Sequence, residues 1–220
     1  EDRTPQKTAG PRRRPDPHER EVDPMSNSTT LEEMDDLMGS ERWEEALGAA
    51  RQALLGGSMD YRALWNAGWA CFKLDKHEEA IELLRRAVDV GKAKSLLYWS
   101  MSAPLMALND YESAELWLLR ALAIKDTAVA RSTLALVYMK LDNDELAEAV
   151  HQEGIRLQPG DRERLESYAD FLCDFGRERE SNEIQEKADA LPQTEHAAKA
   201  SSIPASVPVT SHARFPAPLA

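Results

Sequence analysis

Residues 61–94 read YRALWNAGWACFKLDKHEEAIELLRRAVDVGKAK, and the spacing of the small and apolar side chains within them decides the fold. With Tyr61 as position 1, Leu64, Ala67, Gly68 and Cys71 fall at positions 4, 7, 8 and 11. That is an i, i+3, i+4, i+7 stripe along one face of a helix. Ala80, Leu84 and Ala87, at positions 20, 24 and 27, form a second stripe on a second helix. Helices this short are marginal alone, so the two stripes are expected to cover each other. Gly68 and Ala80 mark where they cross most closely, because a larger side chain would hold the backbones apart.

The same spacing recurs on both sides. Residues 27–60 carry Leu31, Met34, Leu37 and Met38 on a first helix, with Thr29 or Thr30 as its cap, then Trp43, Ala46, Ala50 and Ala53 on a second. Residues 95–127 place Tyr98, Leu105, Tyr111, Ala114, Leu118 and Ala121 at matching positions. Residues 128–161 do so with Leu134, Ala135, Tyr138, Ala147, His151 and Gly154, and residues 162–192 with Leu165, Tyr168, Ala169, Leu172 and Ala188. Departures fall at position 4 (Thr30, Arg131) and at Ser181 and Gln185, whose polarity suits a terminal cap facing water. Pro104, inside a first helix, removes the hydrogen bond to the Ser100 carbonyl. It is expected to kink the helix and leave that carbonyl either to water, the proline merely bending the helix to fit its neighbours, or to a partner.

A period near 34 residues with these packing positions resembles the tetratricopeptide repeat (TPR) family. The resemblance implies an all-α, right-handed superhelical solenoid of five helix–turn–helix units, at 27–60, 61–94, 95–127, 128–161 and 162–192. It also implies a concave face, built mainly from first helices, that binds another protein as a peptide or helix segment. The candidate groove residues are Arg62, Trp65, Asn66, Trp69, Phe72, Lys73, Trp99, Ser100, Met106, Leu136, Met139 and Lys140. Unit five adds Glu163, Glu166, Ser167, Asp170, Cys173 and Asp174 at further concave positions. The lysine and arginine clamp with which many TPR co-chaperones hold a terminal carboxylate is absent; of its residues, Asn66 alone matches. Unless something covers them, Trp65, Trp69 and Trp99 would form an apolar patch of the kind that marks a binding site; the alternative is that Trp65 and Trp99 pack between neighbouring first helices with only their edges showing.

Residues 1–26, with five prolines and the run Arg12-Arg13-Arg14, and the Ala-, Ser- and Pro-rich residues 193–220 hold too little apolar surface to offset ordering and are expected to be disordered. The formal charge of −12 counts against nucleic-acid binding, and a partner with some basic character would be drawn to the acidic ends. No apolar run suits membrane insertion. Cys71 and Cys173, in units two and five, lie too far apart for a disulfide and are read as reduced and packed, which suits a cytoplasmic setting. His77 and His151 stand at packing positions, and no catalytic, metal-ligating or phosphate-cradling motif is present. The expectation is a non-enzymatic adaptor or chaperone without cofactor or metal. The alternatives are a structural assembly subunit or self-associating scaffold, and then a regulatory TPR domain of an enzyme system.

Overall fold

The computed structural model describes residues 24–57, 60–92 and 94–192, and all regular structure among them is helical. The helices are α1 (Pro24–Gly39), α2 (Trp43–Leu55), α3 (Tyr61–Lys73), α4 (His77–Gly91), α5 (Ser95–Ser100), α6 (Ser102–Ala107), α7 (Tyr111–Ile124), α8 (Ala128–Lys140), α9 (Asp144–Leu157), α10 (Arg162–Asp174) and α11 (Glu178–Asp189). They pair as α1/α2, α3/α4, α5–α6/α7, α8/α9 and α10/α11, and each first helix also packs on a neighbouring pair. The result is an all-helical solenoid. The expectation of disorder over 193–220 lies outside the described residues, as does that over 1–26 as far as residue 23; residues 24–26 belong to α1.

The packing stripes are where the spacing puts them. Leu64, Ala67, Cys71, Ala80, Leu84 and Ala87 are at most 1% exposed. A Cβ on Gly68 would lie 2.7 Å from Leu84 Cγ and 3.3 Å from the Ala80 carbonyl oxygen, which is why only hydrogen fits at that crossing. In unit four the same contact is rebuilt with charge. Arg131 stands at position 4, and Gly154 makes room for it, since a Cβ there would come within 2.7 Å of Arg131 Cδ.

Every helix pair turns in the same way. Glu41, Asp75, Asn109, Asp142 and Gly176, each at position 15 of its unit, adopt positive φ between 55° and 69°. The next residue donates its N–H back across the turn, as in Lys76 to Cys71 O (2.9 Å), Asp110 to Leu105 O (2.9 Å) and Arg177 to Leu172 O (2.9 Å). This left-handed closure satisfies carbonyls that the end of a helix leaves open. Asp60, Asp110, Thr127, Asn143 and Asp161 cap the helices that follow them.

Three expectations are corrected. Thr29 and Thr30 do not cap α1, which begins at Pro24 and runs through both. Pro104 does break its helix, at Met101 between α5 and α6, but Ser100 is wholly buried, so its carbonyl is not offered to a partner. Cys173 is exposed rather than packed, whereas Cys71 is buried and its thiol is pushed up to about 11, chiefly by burial.

Candidate partner-binding groove

The concave face differs along its length because position 5 of the first helix differs. In units two and three it holds Trp65 and Trp99. Trp65 Nε1 donates to Ser100 Oγ (2.8 Å), and the Ser100 hydroxyl donates in turn to the Leu96 carbonyl oxygen (2.7 Å). One unit later Trp99 Nε1 donates to Thr133 Oγ1 (3.0 Å), which donates to the Val129 carbonyl (2.7 Å). Each rung ties an indole at position 5 to a hydroxyl at position 6 of the next unit, and that hydroxyl to its own helix one turn back. The buried N–H and O–H groups are thereby satisfied.

Trp69 lies between these rungs, stacked on Trp65 (6.2 Å between centroids, 20° between planes) and on Trp99 (5.8 Å, 29°). The three indoles cover one another. Trp69 is 2% exposed and Trp99 7%, so the expected open patch is a closed column. Its reason is i, i+4 spacing on α3 together with close approach of the next first helix. Asn66 is also fully buried, and its amide donates to Asp35 Oδ1 (3.0 Å). Arg62 pairs with the other oxygen of Asp35. The acidic side chain at position 9 of unit one therefore occupies Asn66, the one residue here that matches the clamp.

In unit four position 5 is Ser132, which bonds only its own helix, at Ala128 O (3.0 Å). The column stops there and a cavity of about 510 Å³ opens, lined from five first-helix segments and from α9. Its apolar wall is Phe72, Trp99, Met106, Val129, Leu136, Met139 and Phe171. Its polar wall is Ser132, Thr133, Ser167, Glu163, Asp170 and Asp174. Of the candidate residues, Phe72, Trp99, Met106, Leu136 and Met139 meet at this cavity. Trp65, Trp69, Asn66 and Ser100 belong to the sealed layer, Lys73 lies over the Trp43 ring (5.6 Å), and Lys140 is exposed away from the lining.

Three lining residues escaped the sequence reading, Ser102, His151 and Phe171. His151 is 6% exposed and packs against Tyr168 (5.7 Å) and Phe171 (5.1 Å). Its pKa is pushed down to about 4, first by burial and then by the Arg131 charge, with Glu148 opposing, so it is neutral at neutral pH. Burial also raises the pKa values of Glu163 and Asp170, helped by Asp161 and by Asp174 respectively.

A charged network fixes α10 against α8 behind the cavity. Asp126 accepts from Arg131 (2.6 Å) and from Arg164 (2.9 Å), and Arg164, 3% exposed, also reaches Asp161 (3.1 Å). The two guanidinium partners, Arg131 above all, hold the Asp126 carboxyl below the usual carboxylate range.

The tetratricopeptide repeat family profiles match residues 31–95 and 130–163. The chain is a tetratricopeptide repeat protein. The stretch between the matches holds the break at Met101, where the repeat's first helix is interrupted. Among solved structures, a crystal structure of MamA superposes with a TM-score of 0.55 at 20% identity, covering 76% of this chain and 96% of that one. PilF of Pseudomonas aeruginosa gives 0.61 at 17% identity, over 74% and 77%. MamA from Desulfovibrio magneticus RS-1 gives 0.57 at 17% identity, over 75% and 94%. These similarities establish the fold this TPR array shares with them. No curated protein matches the chain. Among the described residues no helix is long and apolar enough to cross a membrane, and no group of His, Cys, Asp and Glu side chains could hold a metal ion.

Proposed function

We propose that this TPR array is an adaptor or chaperone-like module that grips an apolar segment of a partner protein in its concave groove, without catalysis. The observation that carries the reading is the cavity of about 510 Å³, open on the concave face with an apolar wall from four repeats. Ligand sites are concave and mostly apolar with a few placed polar groups, and this cavity has that composition. Helical repeats present such extended surfaces to peptides and helices.

The test is selection of a displayed peptide library on the full chain, followed by competition among the enriched peptides. The reading expects apolar peptides that compete for one site and are lost in Leu136→Asp, a folded variant with a charge set into the wall. No enrichment, or enrichment indifferent to Leu136→Asp, contradicts it.

A second reading, assembly through the outer faces, is favoured by Leu116 and Leu119 on α7, 50% and 44% exposed. Sedimentation over a range of concentrations tests it, and a strict monomer rules it out.

A further inference from the structure

The cavity stands where a third rung of the indole ladder would be. Position 6 of unit five is Ser167, the counterpart of Ser100 and Thr133, and it faces the cavity with no hydrogen-bond partner among the described residues. Ser132, opposite, is too short to reach across as Trp65 and Trp99 do. The neighbouring ring of Trp99 and the face of Phe171 supply apolar walls. His151, 94% buried by its 6% exposure, also lines the cavity and makes no hydrogen bond among the described residues. At the rim Glu163, Asp170 and Asp174 carry no ion pair among the described residues, and burial, with Asp161 beside Glu163 and Asp174 beside Asp170, disfavours the charged forms of Glu163 and Asp170.

Resting on the reading of the groove as a partner site, we propose that the cavity takes an indole side chain from a partner segment with lysine or arginine beside it, the indole N–H donating to Ser167 Oγ. The ring completes the stack that ends at Trp99. The bond gives Ser167 the partner that the hydroxyls of the two earlier rungs have. The flanking cation meets the unpaired carboxyl groups of Glu163, Asp170 and Asp174, a charge complement that this rim otherwise lacks. Phenylalanine fills the same walls but offers Ser167 no donor.

The experiment titrates three acetylated, amidated peptides into the full chain by calorimetry: Lys-Trp-Lys, its 1-methyltryptophan analogue, and Glu-Trp-Glu. Saturable binding is expected for Lys-Trp-Lys, weaker by about tenfold when methylation removes the N–H, as loss of one hydrogen bond predicts. Reversal of the flanking charge should weaken it by about tenfold or more, with the gap closing at high salt. Ser167→Ala should remove the difference between the methylated and unmethylated peptides. Ser132→Trp should fill the cavity from within and abolish binding.

Several results overturn the proposal: no saturable heat with Lys-Trp-Lys, equal affinity of the methylated peptide for the unmutated chain, or unaltered binding to a folded Ser132→Trp. The methylated peptide needs no variant, so a folding failure of Ser132→Trp leaves the test intact. Concentration-dependent dimerisation that excludes the peptide would assign the cavity to a second copy and also overturn it. Library peptides that are lost in Leu136→Asp yet carry no indole would sink this inference while leaving the groove reading standing.

Discussion

Units two and three of this array and units four and five use the same repeat to opposite ends. In the first pair, Trp65, Trp69 and Trp99 form a column that closes the concave face and ties successive first helices through hydroxyl relays. In the second pair the indole gives way to Ser132, the column stops, and a cavity remains. The core divides in parallel. One apolar cluster runs from Met34 to Val137, and a smaller one around Ala135, Ala147, Tyr168, Phe171 and Leu172 holds the far end. There the Asp126–Arg131–Arg164 network takes over part of the work that aromatic packing does earlier. One substitution at one repeat position thus converts a sealed joint into an open one without changing the fold.

The comparison is sharpened most by Trp69→Ala, which should destabilise the array by ~3–5 kcal/mol as the centre of the column is lost. Leu136→Ala, on the half-buried cavity wall, should cost about 1 kcal/mol, because little area is removed from contact. Equal shifts of the thermal midpoint for the two would erase the distinction between sealed and open halves.

Asp126→Ala should cost about 3 kcal/mol, since it leaves Arg164, 3% exposed, and Arg131 without their shared carboxylate. Hydrogen exchange should show the loss concentrated in α8 to α10. A uniform loss, or none, would mean the charges are incidental to the joint between units four and five.

Acid should loosen the same half. The folded pKa of His151 is about 4, below its ordinary 6.5, so between these values the unfolded chain binds more protons than the folded one. Its contribution is complete above pH 6.5 and is lost as pH falls toward 4, by about 3 kcal/mol in total. Arg131 and Glu148 are the charges that act on it, and arginines hold the Asp126 and Glu148 carboxyls below their ordinary values. His151→Phe should flatten stability between pH 6.5 and 4; an unchanged slope would place its origin elsewhere.

The smallest effect concerns a feature shared by both halves. Glu41 sits at φ 56°, where its Cβ is crowded, so Glu41→Gly should stabilise by about 1 kcal/mol in chemical denaturation. Asp142→Gly, in the open half, should gain less, because aspartate tolerates that conformation better. A loss of stability in Glu41→Gly would show that the turn is not strained.

How much of this was legible follows from what each residue's environment depends on. Gly68, Ala80 and Leu84 could be placed because a helix pair is local and its stripes repeat every three to four residues. The left-handed turn was legible only by aligning position 15 across the units, where Glu41, Asp75, Asn109, Asp142 and Gly176 share no residue type. Whether Trp65, Trp69 and Trp99 form an open patch or a packed column is not legible, because sequence places side chains on a face but not the distance to the next first helix, some 34 residues away. Aligning positions 5 and 6 would have shown the pairs that form rungs, Trp65 with Ser100 and Trp99 with Thr133, and the pair that does not, Ser132 with Ser167. His151 could not be found this way. It stands at a packing position on a second helix and reaches the cavity only because the indole ahead of it is missing.

The central claim is that the residue at position 5 decides whether a joint is sealed, and the structure of Ser132→Trp tests it most directly. The account predicts an indole lying across the cavity, stacked toward Trp99, with its N–H about 3 Å from Ser167 Oγ and the cavity filled. An indole turned out to solvent over an unchanged cavity would contradict it.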